Sequence, residues 1–583
     1  MMGGMAPASV RRVAGDVGAV LSYLLLAAWV MRGLWAAPAG QVLYNADDHG
    51  FFLAMMAHGE RVVYHGESPF YFTRLNTPTG VNMMANTSVL AISIPLAPFT
   101  HALGPAVAVA LMATGALAGT AIAWWWVLRR HLLGSGPAAW IGGLWTGFAP
   151  GFLAHANGQP NLASGFVVPF VVWQVIRLRE PARLLRGGTA LGVLIALQAF
   201  VGEEFLLLLA ITMALIAVPY AAIRWRETLE AGPRFLAGLA VAVLVAGLLL
   251  AYPLYQQFRG PGHYTGLPFP VDTSATTLRS VAAFPRSAIA GSTARAQEVS
   301  AGSVTEESAF WGPGACLMIL VSIAVLWRSA AARAAALAGL VMLVLSFGTR
   351  FRLDRTTTTG AGSPLGFVTR VPLLDLVTTP RYALASTTIA GVLMALAADR
   401  VQSFRWFARV PYWTGIALAF VPLFPKPLPT APAPPMPAFF ADGTWRSYVH
   451  GDQTVVIVPL PSMRTGRTAM RIAALNTFAF PVPRGYFMGP QNPPADDRGS
   501  WSPPPRFTVI VLDQLRRTGT LPPTTVDLRR AVLADLRYWH AGVVVLLPDM
   551  PHQVAARRVL GDVLGTPEDY GDVAVWRVPP IPT

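Results

Sequence analysis

The stretch Leu43 to Gly59, LYNADDHGFFLAMMAHG, places two adjacent carboxylates, Asp47 and Asp48, directly ahead of an apolar, aromatic run. An apolar segment from about Val13 to Ala37 precedes it, behind Arg11 and Arg12, and matches the roughly 20 residues needed to cross a bilayer. That segment is longer than the apolar core of a secretory signal and further such runs follow, so it reads as a retained first span. Asp47 and Asp48 then stand just outside the membrane. Phe51 to Met56 is predicted as a helical stretch that holds them at its surface.

Composition supports a membrane setting. Of 583 residues, 54% are hydrophobic and 13% charged, about half the charged share of an average soluble domain. A soluble globule needs polar surface, whereas a bilayer-embedded chain can face lipid with apolar side chains. The formal charge of +15 comes from 44 Lys and Arg against 29 Asp and Glu, with Lys426 the sole lysine. These basic residues punctuate apolar runs instead of gathering on one soluble face, which argues against a nucleic-acid partner. The single cysteine, Cys316, excludes an intramolecular disulfide or a cysteine-based zinc cluster.

Further spans are expected at 105–128, 137–156, 162–176, 188–202, 205–223, 235–256, 310–327, 331–347, 382–398 and 407–424, about eleven in all at the length a bilayer requires. Arginines alternate with them: Arg129 and Arg130; Arg177, Arg179, Arg183 and Arg186; Arg224, Arg226 and Arg234; Arg328 and Arg333; Arg400, Arg405 and Arg409. The turns near Gly158 and Gly202 carry no Lys or Arg. Positive residues mark cytoplasmic loops, so the amino terminus is expected in the cytoplasm and the carboxy terminus outside a plasma membrane crossed many times. Trp124, Trp125 and Trp126 read as an interfacial aromatic belt.

Three long segments then fall on the outer face: Pro38 to about Gly104, Arg259 to Ser308, and Gly348 to Arg381. Connections of this length are uncommon unless functional. Val89 to Leu103 is apolar but interrupted by Pro95 and Pro98, and is expected to lie along the membrane surface or pack within protein. The expected domains are a transmembrane module over 1–424 with a catalytic outer loop at 38–104, a proline-rich linker over 425–440 (KPLPTAPAPPMP), and a soluble α/β domain over 441–583. Strands are predicted at Thr454 to Pro459, Phe507 to Leu512, Gly542 to Leu547 and Asp572 to Val578. Helices are predicted at Thr525 to Trp539 and Pro551 to Leu564.

Adjacent carboxylates at a membrane surface can divide two tasks, one accepting a proton from an attacking hydroxyl while the other orients it or holds a cation. A solvated helix cap is the competing account, because Asp favours helix N-termini. Further polar residues interrupt apolar surroundings: His49 beside the pair; His155, Asn157, Gln159 and Asn161 at one tight turn; Glu203 and Glu204 in VGEEFL; Glu306 and Glu307 in TEESAFWGPG. His49, His155, Glu203, Glu204 and Glu306 are the candidates for substrate contact. The outer arginines and histidine, Arg259, His263, Arg279, Arg286, Arg350, Arg352 and Arg381, are candidates for meeting a phosphate, foremost Arg381, Arg259, His263 and Arg350. An interfacial, snorkelling arginine is the alternative for Arg381. Hard cations prefer oxygen ligands, so magnesium or manganese shared between the pair and another carboxylate stays open as a cofactor. No GxxxxGK[ST], HExxH or GxSxG motif occurs, which argues against cytosolic nucleotide chemistry.

An inner amino terminus, one span, and a long outer loop opening on an acidic pair followed by aromatics resembles the GT-C superfamily of membrane glycosyltransferases, closest to actinobacterial envelope enzymes with an exoplasmic tail. Ser68 to Ser88, SPFYFTRLNTPTGVNMMANTS, resembles a block in proteins of this kind. The resemblance implies a polytopic α-helical fold, a polyprenyl-phosphate sugar donor, a cell-envelope glycan or glycolipid acceptor, and a catalytic carboxylate in the first outer loop. Asp48 is the first choice for that base and Asp47 the second; DDHGFF departs from the DE-then-Tyr pattern of several branches, leaving the choice open. The competing classes are a lipid or glycan transporter and a non-catalytic envelope scaffold. The chain shows none of the corresponding interrupted repeats typical of many transporters.

Overall fold

Gly188 and Gly192 show how the long helices approach one another. A Cβ on Gly188 would lie 2.6 Å from the Gly238 carbonyl oxygen, and one on Gly192 would lie 2.7 Å from that of Ala242. Small residues one helical turn apart let helix Leu184–Val201 meet helix Trp225–Arg259 backbone to backbone. Gly143 and Gly147 of helix Gly136–Phe148 do the same, at 2.6 Å from the Ala121 oxygen and 2.8 Å from the Leu117 oxygen.

The computed structural model describes residues 7–180, 183–300, 302–368, 374–463, 465–493, 495–501, 503–522 and 526–579. They divide into two compact units. The first comprises Met1–Ala36, Ala110–Ala251 and Phe269–Thr430; the second comprises Ala37–Val109, Tyr252–Pro268 and Ala431–Thr583.

Among the described residues, six helices are long and apolar enough to cross a membrane: Arg12–Val30, Pro105–Leu132, Leu184–Val201, Glu203–Ile223, Trp225–Arg259 and Thr379–Val401. The other five stretches expected as spans are also helical but shorter. The run 137–156 breaks at Pro150 into Gly136–Phe148 and Pro150–Ala156, because Ala149 ahead of the proline is extended. Val168–Arg177, Gly312–Val325, Ala330–Ser346 and Trp406–Phe420 are the remaining four. Helix Tyr382–Val401 is buried along most of its length and forms the core of the first unit.

In the second unit, helix Ala46–His65 opens the acidic segment. Its Gly59 is required by a close approach: a Cβ there would fall 2.7 Å from the Ser93 backbone. Ser93 ends the short helix Leu90–Ser93, and Ala97–Leu103 follows after a break containing Pro95, as the interrupted apolar pattern predicts. Tyr71–Phe72 and Val81–Asn82 pair as a small hairpin.

The carboxy-terminal part carries a four-stranded sheet in the order Glu568–Tyr570, Val573–Arg577, Ala541–Leu546, Thr454–Val458. The last two strands are parallel and the other pairings antiparallel. Both parallel strands are buried throughout, which explains their unbroken apolar runs. Helices Leu528–Tyr538 and Gln553–Leu564 match expectation, although the predicted start at Thr525 lies outside the described residues. Phe507 to Leu512 does not form the expected strand. It opens helix Phe507–Thr518, whose buried residues Thr508, Val511, Leu512 and Leu515 follow helical period and pack into the core shared with Val456, Val544 and Trp576. Gly519, left-handed at φ 72°, caps it.

Candidate active site around Asp48

Asn45 begins the site by capping helix Ala46–His65. Its side-chain oxygen accepts the Asp48 N–H at 3.2 Å, and its amide donates to Asp48 Oδ2 at 2.6 Å. Two acidic residues in a first turn also suit the positive end of a helix dipole. Tyr486 then donates its hydroxyl to Asp48 Oδ1 at 2.8 Å. Burial, followed by the Asp48 charge, raises the Tyr486 phenol, so the hydroxyl keeps its proton and stays a donor. Asp47 is engaged differently. Arg467 brings Nε to 2.5 Å from Asp47 Oδ1 and Nη2 to 2.8 Å from Oδ2. Burial raises the Asp47 carboxyl, Arg467 opposes the rise and the Asp48 charge adds to it.

Arg467 opens the amphipathic helix Arg467–Leu475, which packs against helix Ala46–His65. One turn later, Arg471 donates to the backbone oxygens of Pro434, at 2.9 Å, and Ala39. Its burial lowers its pKa, and its charge adds to the burial of His49, which is pushed down to about 4 and is therefore neutral near pH 7.

Asparagines bind the outer-loop block to this site by standing in for backbone. Asn86 donates to the Met488 oxygen and accepts the Met488 N–H, both at 2.9 Å. Asn82 donates to the oxygens of Gln256 and Pro261 at 2.7 and 3.1 Å. The segment bearing Arg259 and His263 thus belongs to the second unit with Asp48. Arg259 is exposed at a helix end, and His263 Nδ1 lies 2.9 Å from the Gly260 oxygen.

The other candidates lie in the first unit, around an ionic cluster. Arg381 donates to Glu204 at 2.6 Å and to Glu306 at 2.7 Å, and His155 Nε2 lies 3.7 Å from Glu306 and 3.2 Å from Ser308 Oγ. Its guanidinium is thus occupied by two carboxylates. Burial raises the Glu306 carboxyl, yet Arg381 and His155 outweigh that and bring it below the usual range. Glu203 shares the first turn of helix Glu203–Ile223 with Glu204. Gln159 Oε1 accepts from His155 Nδ1 at 3.1 Å, Asn157 is buried, and Asn161 lies in the 3-10 turn Pro160–Ala163. Glu307 pairs with Arg286 at 2.5 Å and Asp354 with Arg279 at 2.7 Å. Arg350 and Arg352 line a polar cavity of about 220 Å³ with Asp272 and Asp354.

Among the described residues, no group of three His, Cys, Asp or Glu side chains is placed to hold a metal ion.

Tyr486, Arg467 and Arg471 escape sequence reasoning. The only local trace is the placement of both arginines one turn apart on an otherwise small, apolar helix.

No protein-family model matches the sequence, and no curated protein matches it. Solved structures do. The mycobacterial arabinofuranosyltransferase AftD is similar over 97% of this chain and 40% of its own, with 14% identity and a TM-score of 0.58. This chain therefore spans well under half of that enzyme. ArnT from Cupriavidus metallidurans bound to undecaprenyl phosphate is similar over 98% of both chains, with 11% identity and a TM-score of 0.49. The oligosaccharyltransferase AglB from Archaeoglobus fulgidus, in complex with an inhibitory peptide and a dolichol-phosphate, is similar over 92% of this chain and 69% of its own, with 11% identity and a TM-score of 0.47. The chain shares the fold of the arabinofuranosyltransferase AftD, and six of its described helices are long and apolar enough to cross a membrane.

Proposed function

We propose that the protein is an inverting glycosyltransferase that moves a sugar from a polyprenyl-phosphate donor to a cell-envelope glycan or glycolipid on the outer face of the plasma membrane. The observation that carries this reading is the placement of Asp48 in the first turn of helix Ala46–His65, where the Tyr486 hydroxyl and the Asn45 amide donate to its two oxygens, beside Asp47 paired with Arg467. Asp48 is the general base. It takes the proton of the acceptor hydroxyl as that oxygen bonds to the anomeric carbon, and the bond from that carbon to the phosphate oxygen breaks with its electron pair leaving on the polyprenyl phosphate. Asp47 and Arg467 fix the helix start that presents Asp48. Arg259 and His263, in the same compact unit, are the groups assigned to the departing phosphate, where positive charge stabilises what develops. Arg381 instead organises Glu204, Glu306 and His155. The amino terminus is cytoplasmic and the carboxy-terminal domain lies outside.

The test is transfer from a polyprenyl-phosphate sugar by Asp47→Ala and Asp48→Ala, made separately. Asp48→Ala is expected to lose turnover and Asp47→Ala to retain part of it; full activity in both would overturn the assignment.

A further inference from the structure

Tyr486 does more than hold Asp48. Its ring lies parallel to the indole of Trp501, with centroids 5.2 Å apart and planes 13° from each other, while Phe51 meets it edge-on at 6.2 Å. Trp501 ends the strand Asp496–Trp501, whose partner Met488–Asn492 pairs it in register with Met488. Both strands of this hairpin are held by hydrogen bonds to other segments of the second unit. Asn86 clamps Met488, and Thr265 donates to the Asp497 oxygen and accepts from the Gly499 N–H, each at 2.8 Å. Trp501 is half-buried.

The chemistry of the hairpin favours a neutral, hydroxylated ligand. Arg498 pairs within the hairpin with Asp496 at 2.7 Å. A sugar ring has a face lined by C–H groups and hydroxyls around its edge. An aromatic plane offers the first an apolar surface with a negative face, and a carboxylate serves the second.

We propose that Trp501, backed by Tyr486, is the platform on which the acceptor sugar ring lies, with the hydroxyl to be glycosylated turned toward Asp48. The proposal rests on the reading of Asp48 as the base and deepens it by naming the acceptor subsite. Trp501 is a positioning residue: it sets where the ring lies and takes no proton.

The experiment uses the full chain in detergent and, as probes, octyl glycosides of glucose, mannose, galactose and arabinose. Binding is measured by saturation-transfer NMR, and transfer from a polyprenyl-phosphate sugar is followed in parallel. Trp501→Ala is expected to weaken binding of the preferred glycoside, and to raise its KM, by about tenfold, the scale of one ring contact, with kcat changed less than KM. Trp501→Phe, which keeps a plane, is expected to recover most of the loss and controls for misfolding. Asp48→Asn is expected to bind the glycoside and fail to transfer. Unchanged binding in Trp501→Ala overturns the platform, as does failure of the parent protein to bind any of the four probes saturably. If Asp48→Asn transfers normally while Trp501→Ala loses binding, the base assignment fails and the platform stands.

Discussion

The Tyr486 hydroxyl and Oδ1 of Asp48 meet at 2.8 Å across 438 positions of sequence. A hydrogen bond to a charged acceptor contributes roughly 1.5 kcal/mol or more. Tyr486→Phe keeps the ring and removes that bond, so kcat for glycosyl transfer is expected to fall about tenfold while the ring packing persists. Initial rates check this, and an unchanged kcat would uncouple Tyr486 from Asp48.

Arg467 opposes the rise that burial imposes on the Asp47 carboxyl. In Arg467→Ala that opposition is gone, so Asp47 takes up its proton at higher pH, which carboxyl 13C NMR titration of Asp47 reads directly. Arg467→Lys keeps the charge and is expected to leave the Asp47 titration near its original position. Identical Asp47 titrations for the parent and Arg467→Ala would rule the coupling out.

His49 and His58 are both buried and held down to about 4, His49 by burial and the Arg471 charge, His58 chiefly by burial. Between about pH 4 and their ordinary value of 6.5, the unfolded chain binds more protons than the folded one. Folding stability therefore rises with pH across that window, is complete above it and is lost as pH falls, by about 3 kcal/mol per histidine. Thermal unfolding of the parent and of His58→Gln between pH 4 and pH 7 is the check; the variant is expected to show the shallower slope.

The Arg381 cluster predicts a structural loss. Removing the arginine leaves Glu204 and Glu306 facing each other, and breaking a buried ionic group in this way costs about 3–5 kcal/mol. Arg381→Leu is expected to unfold at markedly lower temperature. Arg381→Lys is expected to recover only part of the loss, since an ammonium lacks the planar fork that holds Glu306 through Nε and Nη2 while Nη1 reaches Glu204. Full recovery by lysine would refute the geometric argument.

Gly59 tolerates no side chain while Ser93 stays in place. Gly59→Ala has to push the short helix Leu90–Ser93 away and is expected to destabilise the second unit by about 1–3 kcal/mol, the usual cost of overpacking. Accelerated hydrogen exchange confined to 46–65 and 90–93 is the signature to look for.

Much of this architecture is legible one segment at a time. Apolar runs bounded by arginine announce helices because bilayer crossing is a local property of about 20 residues. The prolines of 425–436 announce extended chain, and the buried strands Thr454–Val458 and Ala541–Leu546 announce themselves by continuous β-branched residues. Legibility fails where two periods compete. Phe507 to Leu512 is rich in β-branched residues, yet its burial repeats every three to four positions, so packing of Val511 and Leu515 against the sheet overrides propensity. Span length fails likewise in 137–156, where a proline divides one apolar run into two helices.

The order of residues alone suffices to announce a membrane chain and to single out Asp47 and Asp48, because hydrophobic burial and helix capping depend on neighbours a few positions away. It leaves the two carboxylates equivalent. Packing separates them: Arg467 reaches Asp47 across 420 positions, Tyr486 reaches Asp48 across 438, and Arg381 gathers Glu204 and Glu306 across 177 and 75. No local pattern encodes such pairings, since a side chain's charge partner is fixed by which elements come together and not by the sequence that surrounds it.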